Sequence, residues 1–160
     1  MGSHLQNLNL AYIAGFLDGD GSLMLQVKKR HDTTSGWRIM ATICFYQDNR
    51  HNHPLYWIKN QLKIGYISKR NDGITELRIN GFSQVKEILI KLLPFIRFKK
   101  KQTKKMIKIL NLLESKKIKN FTRHDYLNLI SSLLTIQNYN YQSPRKKTRQ
   151  DFKKILGLTP

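Results

Sequence analysis

Apolar residues along this chain recur with two different periods, and the changes of period mark out its elements. Between Leu8 and Gly19 the spacing is helical. Ile13, Phe16 and Leu17 make a bulky face, while Ala11, Gly15 and Gly19, at i, i+4 and i+8, leave a second face nearly bare. From Leu23 the period falls to two. Leu23, Leu25 and Val27 alternate with Met24, Gln26, Lys28 and Arg30. After a polar loop from His31 to Gly36, Trp37, Ile39, Ala41, Ile43 and Phe45 alternate with Arg38, Met40, Thr42, Cys44 and Tyr46. Both runs predict strands with a greasy odd-numbered face and a partly basic even-numbered face, paired as a half-buried antiparallel hairpin.

The pattern then repeats. Pro54 allows a helix start, with Leu55, Ile58 and Leu62 as its apolar stripe. A second hairpin follows, Tyr66 to Arg70 and Thr75 to Asn80, around the turn signal Asn71-Asp72-Gly73. Ser83 is the expected cap of a helix carrying Val85, Ile88, Leu89, Leu92 and Leu93. The remainder reads as helical. Lys99 to Leu113 carries Met106, Ile107, Ile109, Leu110 and Leu113, and Thr122 to Asp125 caps a helix through about Ile136. Tyr139 to Ser143 reads as an irregular linker, and Pro144 to Arg149 as a basic run, either a solvated tail or a segment that clamps a nucleic-acid backbone. The order αββαββα followed by helices predicts an α+β fold.

Charge narrows the partner. Twenty-nine Lys and Arg stand against 10 Asp and Glu, a net +19 over 160 residues. Such an excess is relieved by an anionic partner, and a polyphosphate backbone is the obvious one. Charge alone fits a structural RNA-binding protein equally well. A single cysteine, Cys44, excludes an internal disulfide and suggests a reducing compartment. No apolar run approaches membrane-spanning length and no signal peptide is visible, so a membrane partner is not expected. His31, His51, His53 and Cys44 lack the spacing of a zinc site.

The chemistry sits at the end of the first helix. Gly19 and Gly21 bracket Asp20 where the chain must turn, holding a carboxylate at the tip of a rigid element. Ile13-Ala14-Gly15-Phe16-Leu17-Asp18-Gly19-Asp20-Gly21 resembles the signature of the LAGLIDADG homing endonucleases. It departs from that signature by Ile for Leu, Phe-Leu for Leu-Ile, and Gly for Ala, each keeping the alternation of small and bulky residues. The resemblance covers roughly residues 8–110. It implies the LAGLIDADG fold, a curved four-stranded antiparallel sheet serving as a DNA-binding saddle, with extra C-terminal helices.

What the resemblance implies is specific. One motif supplies half of an active site, so the expected enzyme is a homodimer packed along Ala11, Gly15 and Gly19, like the single-motif members encoded in organellar rRNA introns. It would cut both strands of a long pseudo-palindromic DNA site and promote intron mobility. Asp20 and the carbonyl of Gly19 would hold Mg²⁺, with Mn²⁺ able to substitute and Ca²⁺ supporting binding without cleavage. Asp18 reads as structural. Gln47 stands where relatives carry an active-site glutamine, and Lys99 matches the basic residue after Pro94-Phe95-Ile96-Arg97-Phe98. Relatives place arginine at position 51; this chain has His51, with Arg50 beside it.

Base reading would fall to the even-numbered face: Met24, Gln26, Lys28, Arg30, Arg38, Met40, Thr42 and Cys44 from the first hairpin, and Tyr66, Ser68, Arg70, Glu76 and Arg78 from the second. Lys116, Lys117 and Lys119 would lie near the DNA backbone. The expected division is an endonuclease domain over residues 5–140, a basic extension over 141–160, and an expression-tag remnant over 1–4. An intron-RNA-binding maturase and a cleavage-inactive DNA-binding protein are the rival readings on the same fold. Enrichment in Lys, Ile and Asn suggests an A/T-rich genome, hence a chloroplast, a mitochondrion or the nucleoid of an A/T-rich host.

Overall fold

The computed structural model describes residues 2–141 and 145–158. Its elements are α1 (Gly2–Asp20), β1 (Gly21–Lys29), β2 (Trp37–Asp48), α2 (His53–Leu62), β3 (Tyr66–Lys69), β4 (Ile74–Asn80), α3 (Phe82–Leu92), α4 (Lys100–Ser115), α5 (Arg123–Asn138) and α6 (Arg149–Ile155). The strands form one antiparallel sheet in the order β1-β2-β4-β3. Odd-numbered strand residues, Leu23, Leu25, Val27, Ile39, Ala41, Ile43, Phe45, Leu77 and Ile79, are buried with apolar residues of α1 to α6. The helices therefore cover one face of the sheet and leave the even-numbered face without a second layer, which is the half-buried arrangement that the alternation predicts.

The junction of α1 and β1 fixes everything downstream. Helix and strand meet without a linker, Asp20 ending one and Gly21 opening the other. A Cβ on Gly21 would lie 2.6 Å from Leu17 Cδ1 and 2.8 Å from Leu17 Cα, so only glycine lets the strand leave so close to the helix. Gly21→Ala is expected to destabilise the fold by about 1–3 kcal/mol, the usual range for overpacking. Urea unfolding checks this, with the midpoint falling at unchanged slope.

Two helix starts differ from expectation. α3 begins at Phe82 with Gly81 as its N-cap, so Ser83 is not the cap. The φ of +103° at Gly81 turns the chain from β4 directly into the helix, and the Ser83 hydroxyl in the first turn pairs instead with Glu114 of α4. α1 starts at Gly2, ahead of Leu8, because nothing between Gly2 and Asn7 breaks a helix. Thr122 does cap α5: its hydroxyl accepts from the Asp125 N–H at 3.2 Å, and Asp125 accepts from the Thr122 N–H at 2.8 Å.

The basic C-terminal region is more ordered than a run of charges suggests. Thr148 and Asp151 form a second capping box, at 3.2 and 2.7 Å, and open α6. Phe152 is buried in the core cluster, and α6 packs on α5. Gln137 of α5 grips the backbone of Lys147 at both ends of its amide, donating to the carbonyl at 2.8 Å and accepting from the N–H at 2.9 Å. Gln142, Ser143 and Pro144, parts of the expected linker and basic run, lie outside the described residues. Among the described residues no helix is long and apolar enough to cross a membrane.

Candidate active site and nucleic-acid interface

Three segments converge at one end of the sheet. The first is the end of α1. Asp18 is buried and accepts three backbone hydrogen bonds, from Arg97 at 2.6 Å, Phe98 at 3.2 Å and Lys99 at 3.0 Å. Its carboxylate thus organises the entry to α4. In return the Lys99 ammonium donates to the Asp18 carbonyl at 2.5 Å, satisfying a helix-end oxygen that has no partner within the helix. Removing the Asp18 carboxylate strands three donors. Asp18→Ala is therefore expected to destabilise the protein by at least about 2 kcal/mol, measured by calorimetry or urea.

That latch delivers Lys99 to the tip of α1. Burial lowers its pKa, against which the nearby Asp18 and Asp20 charges act to raise it. Asp20 itself is exposed, as is Gly19 before it. The second segment is the end of β2. Gly21 pairs with Phe45, which places Gln47 two residues further along, beside the helix tip. The Gln47 side chain accepts from the Asp48 N–H at 2.9 Å.

The third segment is the short 3₁₀ turn from Asn49 to His51. It is pinned to β4 through buried Thr75, which donates to Asn49 at 2.5 Å and accepts from Asn52 at 3.2 Å. Arg50 is committed to Asp48, with Nε–Oδ1 at 2.9 Å and Nη2–Oδ2 at 3.0 Å. His51 is exposed and, among the described residues, its side chain makes no hydrogen bond. Both neighbours are open to solvent, and they differ in that Arg50 has a surface ion pair with Asp48 to exchange and His51 does not.

The even-numbered sheet face carries the expected base-reading residues in cross-strand rows. Lys28 faces Arg38, Gln26 faces Met40, and Met24 faces Thr42. Cys44 lies between Ser22 and Arg78, with Tyr66 beyond, and Ser68 pairs with Glu76. Lys28, Arg38, Tyr66 and Arg70 are exposed; Met24, Gln26, Arg30, Met40, Ser68 and Arg78 are partly so. Cys44, Thr42 and Glu76 are buried. Burial pushes the Cys44 thiol up to about 11, and Thr42 spends its hydroxyl proton on Asn80 at 2.7 Å. Alternation tells which face a side chain leaves from, but not whether a longer neighbour covers it. Three polar residues on this face join those named above: Ser22 and Tyr46, whose hydroxyls are 2.9 Å apart, and Asn80. Lys116 is paired with Asp125 at 2.6 Å, whereas Lys117 and Lys119 are exposed.

On the flank of α1, Leu5, Leu8, Tyr12, Gly15 and Gly19 form one exposed stripe at alternating spacings of three and four. A Cβ built on Gly15 or Gly19 meets nothing within 4 Å. Trp57 of α2 packs edge-on against Tyr12 at 5.3 Å and widens the apolar surface. Phe98, next to the Asp18 latch, is 84% exposed.

The LAGLIDADG endonuclease family profile matches residues 13–110, from the middle of α1 through most of α4. The chain belongs to the LAGLIDADG endonuclease family. It is 31% identical over 110 residues to DNA endonuclease I-CvuI of Chlorella vulgaris, covering 69% of this chain and 68% of the relative. To DNA endonuclease I-CreI of Chlamydomonas reinhardtii it is 25% identical over 147 residues, 92% of this chain and 88% of the relative. The structure is similar to that of I-CvuI bound to its target in the presence of calcium, with a TM-score of 0.75, 25% identity, and coverage of 98% of this chain and 99% of that one.

For a LAGLIDADG endonuclease, the donor set at the helix tip suits a hard divalent cation. Asp20 supplies a carboxylate, the last carbonyls of α1 lack helical partners, and the negative end of the helix dipole points at the same place. The similarity to I-CreI, over 147 residues of this chain, extends beyond the family match through α5.

Proposed function

We propose that this LAGLIDADG endonuclease is a homodimeric, divalent-metal-dependent homing endonuclease that cuts both strands of a pseudo-palindromic DNA site. The observation that carries the proposal is the pairing of Asp20, exposed at the end of α1, with an open seam along Gly15 and Gly19. One chain holds one such carboxylate, and two strands need two. A second copy packed along the seam brings both helix tips to the dyad, one beneath each scissile phosphate. The exposed apolar residues Leu5, Leu8, Tyr12, Trp57 and Phe98 give that contact its apolar area.

Asp20 and the Gly19 carbonyl hold Mg²⁺ in this reading, and Mn²⁺ fits the same oxygen ligands. Bound there, the metal supplies a Lewis acid for phosphodiester hydrolysis. Gln47 and His51 orient the attacking water, and Lys99, steadied by the Asp18 carbonyl, sets positive charge beside the phosphate oxygens. The uncovered sheet face lies in the major groove, where Gln26, Lys28, Arg30, Arg38, Met40, Ser68 and Arg78 reach base edges. Lys117, Lys119 and the docked Arg145 to Arg149 segment hold the phosphate backbone. The grip of Gln137 on Lys147 supports this role, since a fixed backbone presents its charges at less entropic loss. The Lys-, Ile- and Asn-rich composition and the algal relatives favour an organellar intron as its origin.

Sedimentation of the protein with a specific duplex tests the stoichiometry. Two chains per duplex and a footprint symmetric about one dyad are expected. One chain per duplex with double-strand cutting intact would contradict the dimer.

A further inference from the structure

Glu76 sits in β4, between Tyr46 of β2 and Ser68 of β3, and only 4% of its surface is exposed. A carboxylate buried on a face meant for DNA needs partners, and it has two. Its Oε2 accepts from Arg78 Nε at 2.7 Å, and its Oε1 accepts from Arg70 Nη1 at 3.1 Å. Arg70 also gives Nη2 to Asp72 at 2.5 Å. The two arginines are thereby left with different capacities. Arg70 is committed at both terminal nitrogens. Arg78 is held through Nε, and its terminal nitrogens, which have Tyr66 and Cys44 as polar neighbours, donate no hydrogen bond of normal length among the described residues. An arginine fixed at Nε with an open terminal fork matches the O6 and N7 acceptors of guanine.

We propose that Glu76 is a positioning residue for sequence specificity: it reads no base itself, but fixes Arg78 so that its free fork reads one guanine in each half-site. Arg70 contributes charge in place of base reading. The inference rests on the nuclease reading above and adds to it the base that one residue demands. It also reverses the expectation that Glu76 itself reads a base, because both of its oxygens are already engaged inside the protein. Prefixing the guanidinium lowers the ordering loss on binding and sharpens the penalty for a base that cannot accept both bonds.

The test compares cleavage of the wild-type site with cleavage of every single-base variant of it, for the wild type, Glu76→Gln, Arg78→Lys and Arg70→Ala. Glu76→Gln and Arg78→Lys are expected to lose about tenfold discrimination for guanine, at the same one position per half-site. The rate at the cognate site is the reference for each variant: a fall confined to the guanine position marks positioning, and a fall common to all positions marks a merely structural role. Arg70→Ala should weaken binding and flatten the salt dependence without creating a new discriminated position of its own. An unchanged Glu76→Gln profile would overturn the proposal, as would an even loss across all positions. So would loss of a cytosine preference at a position that ignores Arg78→Lys. If Glu76→Gln does not fold, Arg78→Lys alone decides: it keeps the charge and the Glu76 partner but loses the fork, and an unchanged profile sinks the idea. Failure of the wild type to cut any duplex refutes the nuclease reading instead, and the same base profile is then read from selected bound duplexes.

Discussion

Replacing Asp20 by Asn is expected to abolish cleavage while leaving specific DNA binding in place. Asp20 ends α1, is exposed, and makes no hydrogen bond that organises the fold among the described residues. That separates it from Asp18 two residues earlier, which anchors three backbone N–H groups. Asparagine keeps the shape but removes the charge that attracts a divalent cation against its hydration shell. The expected loss in single-turnover rate is roughly a thousandfold or more, equivalent to about 4 kcal/mol of transition-state stabilisation. Affinity should hold or rise slightly, since an unmetallated carboxylate repels the phosphates beside it. Single-turnover cleavage beside a gel-shift titration reads both quantities. Equal loss of binding and cleavage would make Asp20 structural.

Gly15→Leu should have the opposite separation, a sound protomer that no longer pairs. Among the described residues, and apart from the backbone of α1 itself, nothing lies within 4 Å of a Cβ at position 15, so the side chain is accommodated in a single copy. Leucine is also the better helix former, by roughly 0.8 kcal/mol or more. Across a dyad the same side chain meets its own copy at the closest approach of the two helices. Overpacking of about 1–3 kcal/mol is then felt twice. Sedimentation is expected to show monomers, with the circular dichroism of the wild type and double-strand cutting lost. A Gly15→Leu protein that remains dimeric would place the contact on another surface.

Much of the sheet was legible because its physics is local. Period-two runs with one greasy face specify both pairing partners and the covered side, and the Asn71-Asp72-Gly73 turn sets the second hairpin. The turn that ends α1 at Asp20 was legible through two flanking glycines, one of which the structure shows to be a steric necessity at Leu17. What escaped depends on distant residues. Nothing near Asp18 in sequence shows that its carboxylate holds the backbone of residues 97–99, some 79 to 81 positions away. Glu76 reads as a surface acid until Arg70 and Arg78 are seen to use both its oxygens. α6 escaped because seven residues with few apolar positions carry too little periodicity, although the Thr148/Asp151 capping box was a usable signal. Ser83 misled because cap preference is a statement about side chains, whereas Gly81 starts α3 by backbone conformation.

The proposed function has this protein cut both DNA strands at a two-fold site with the carboxylate at the end of α1. Incubation of the purified protein with a randomised duplex library, first with Mg²⁺ and then with Ca²⁺, decides this. Discrete double-strand cuts are expected in Mg²⁺ at one recurring, two-fold-related sequence, with the same sequence retained uncut in Ca²⁺. Selective binding without cutting in either metal would contradict it and leave a DNA-binding protein on this fold. No selective duplex binding at all would contradict it more deeply and make intron RNA the next ligand to try.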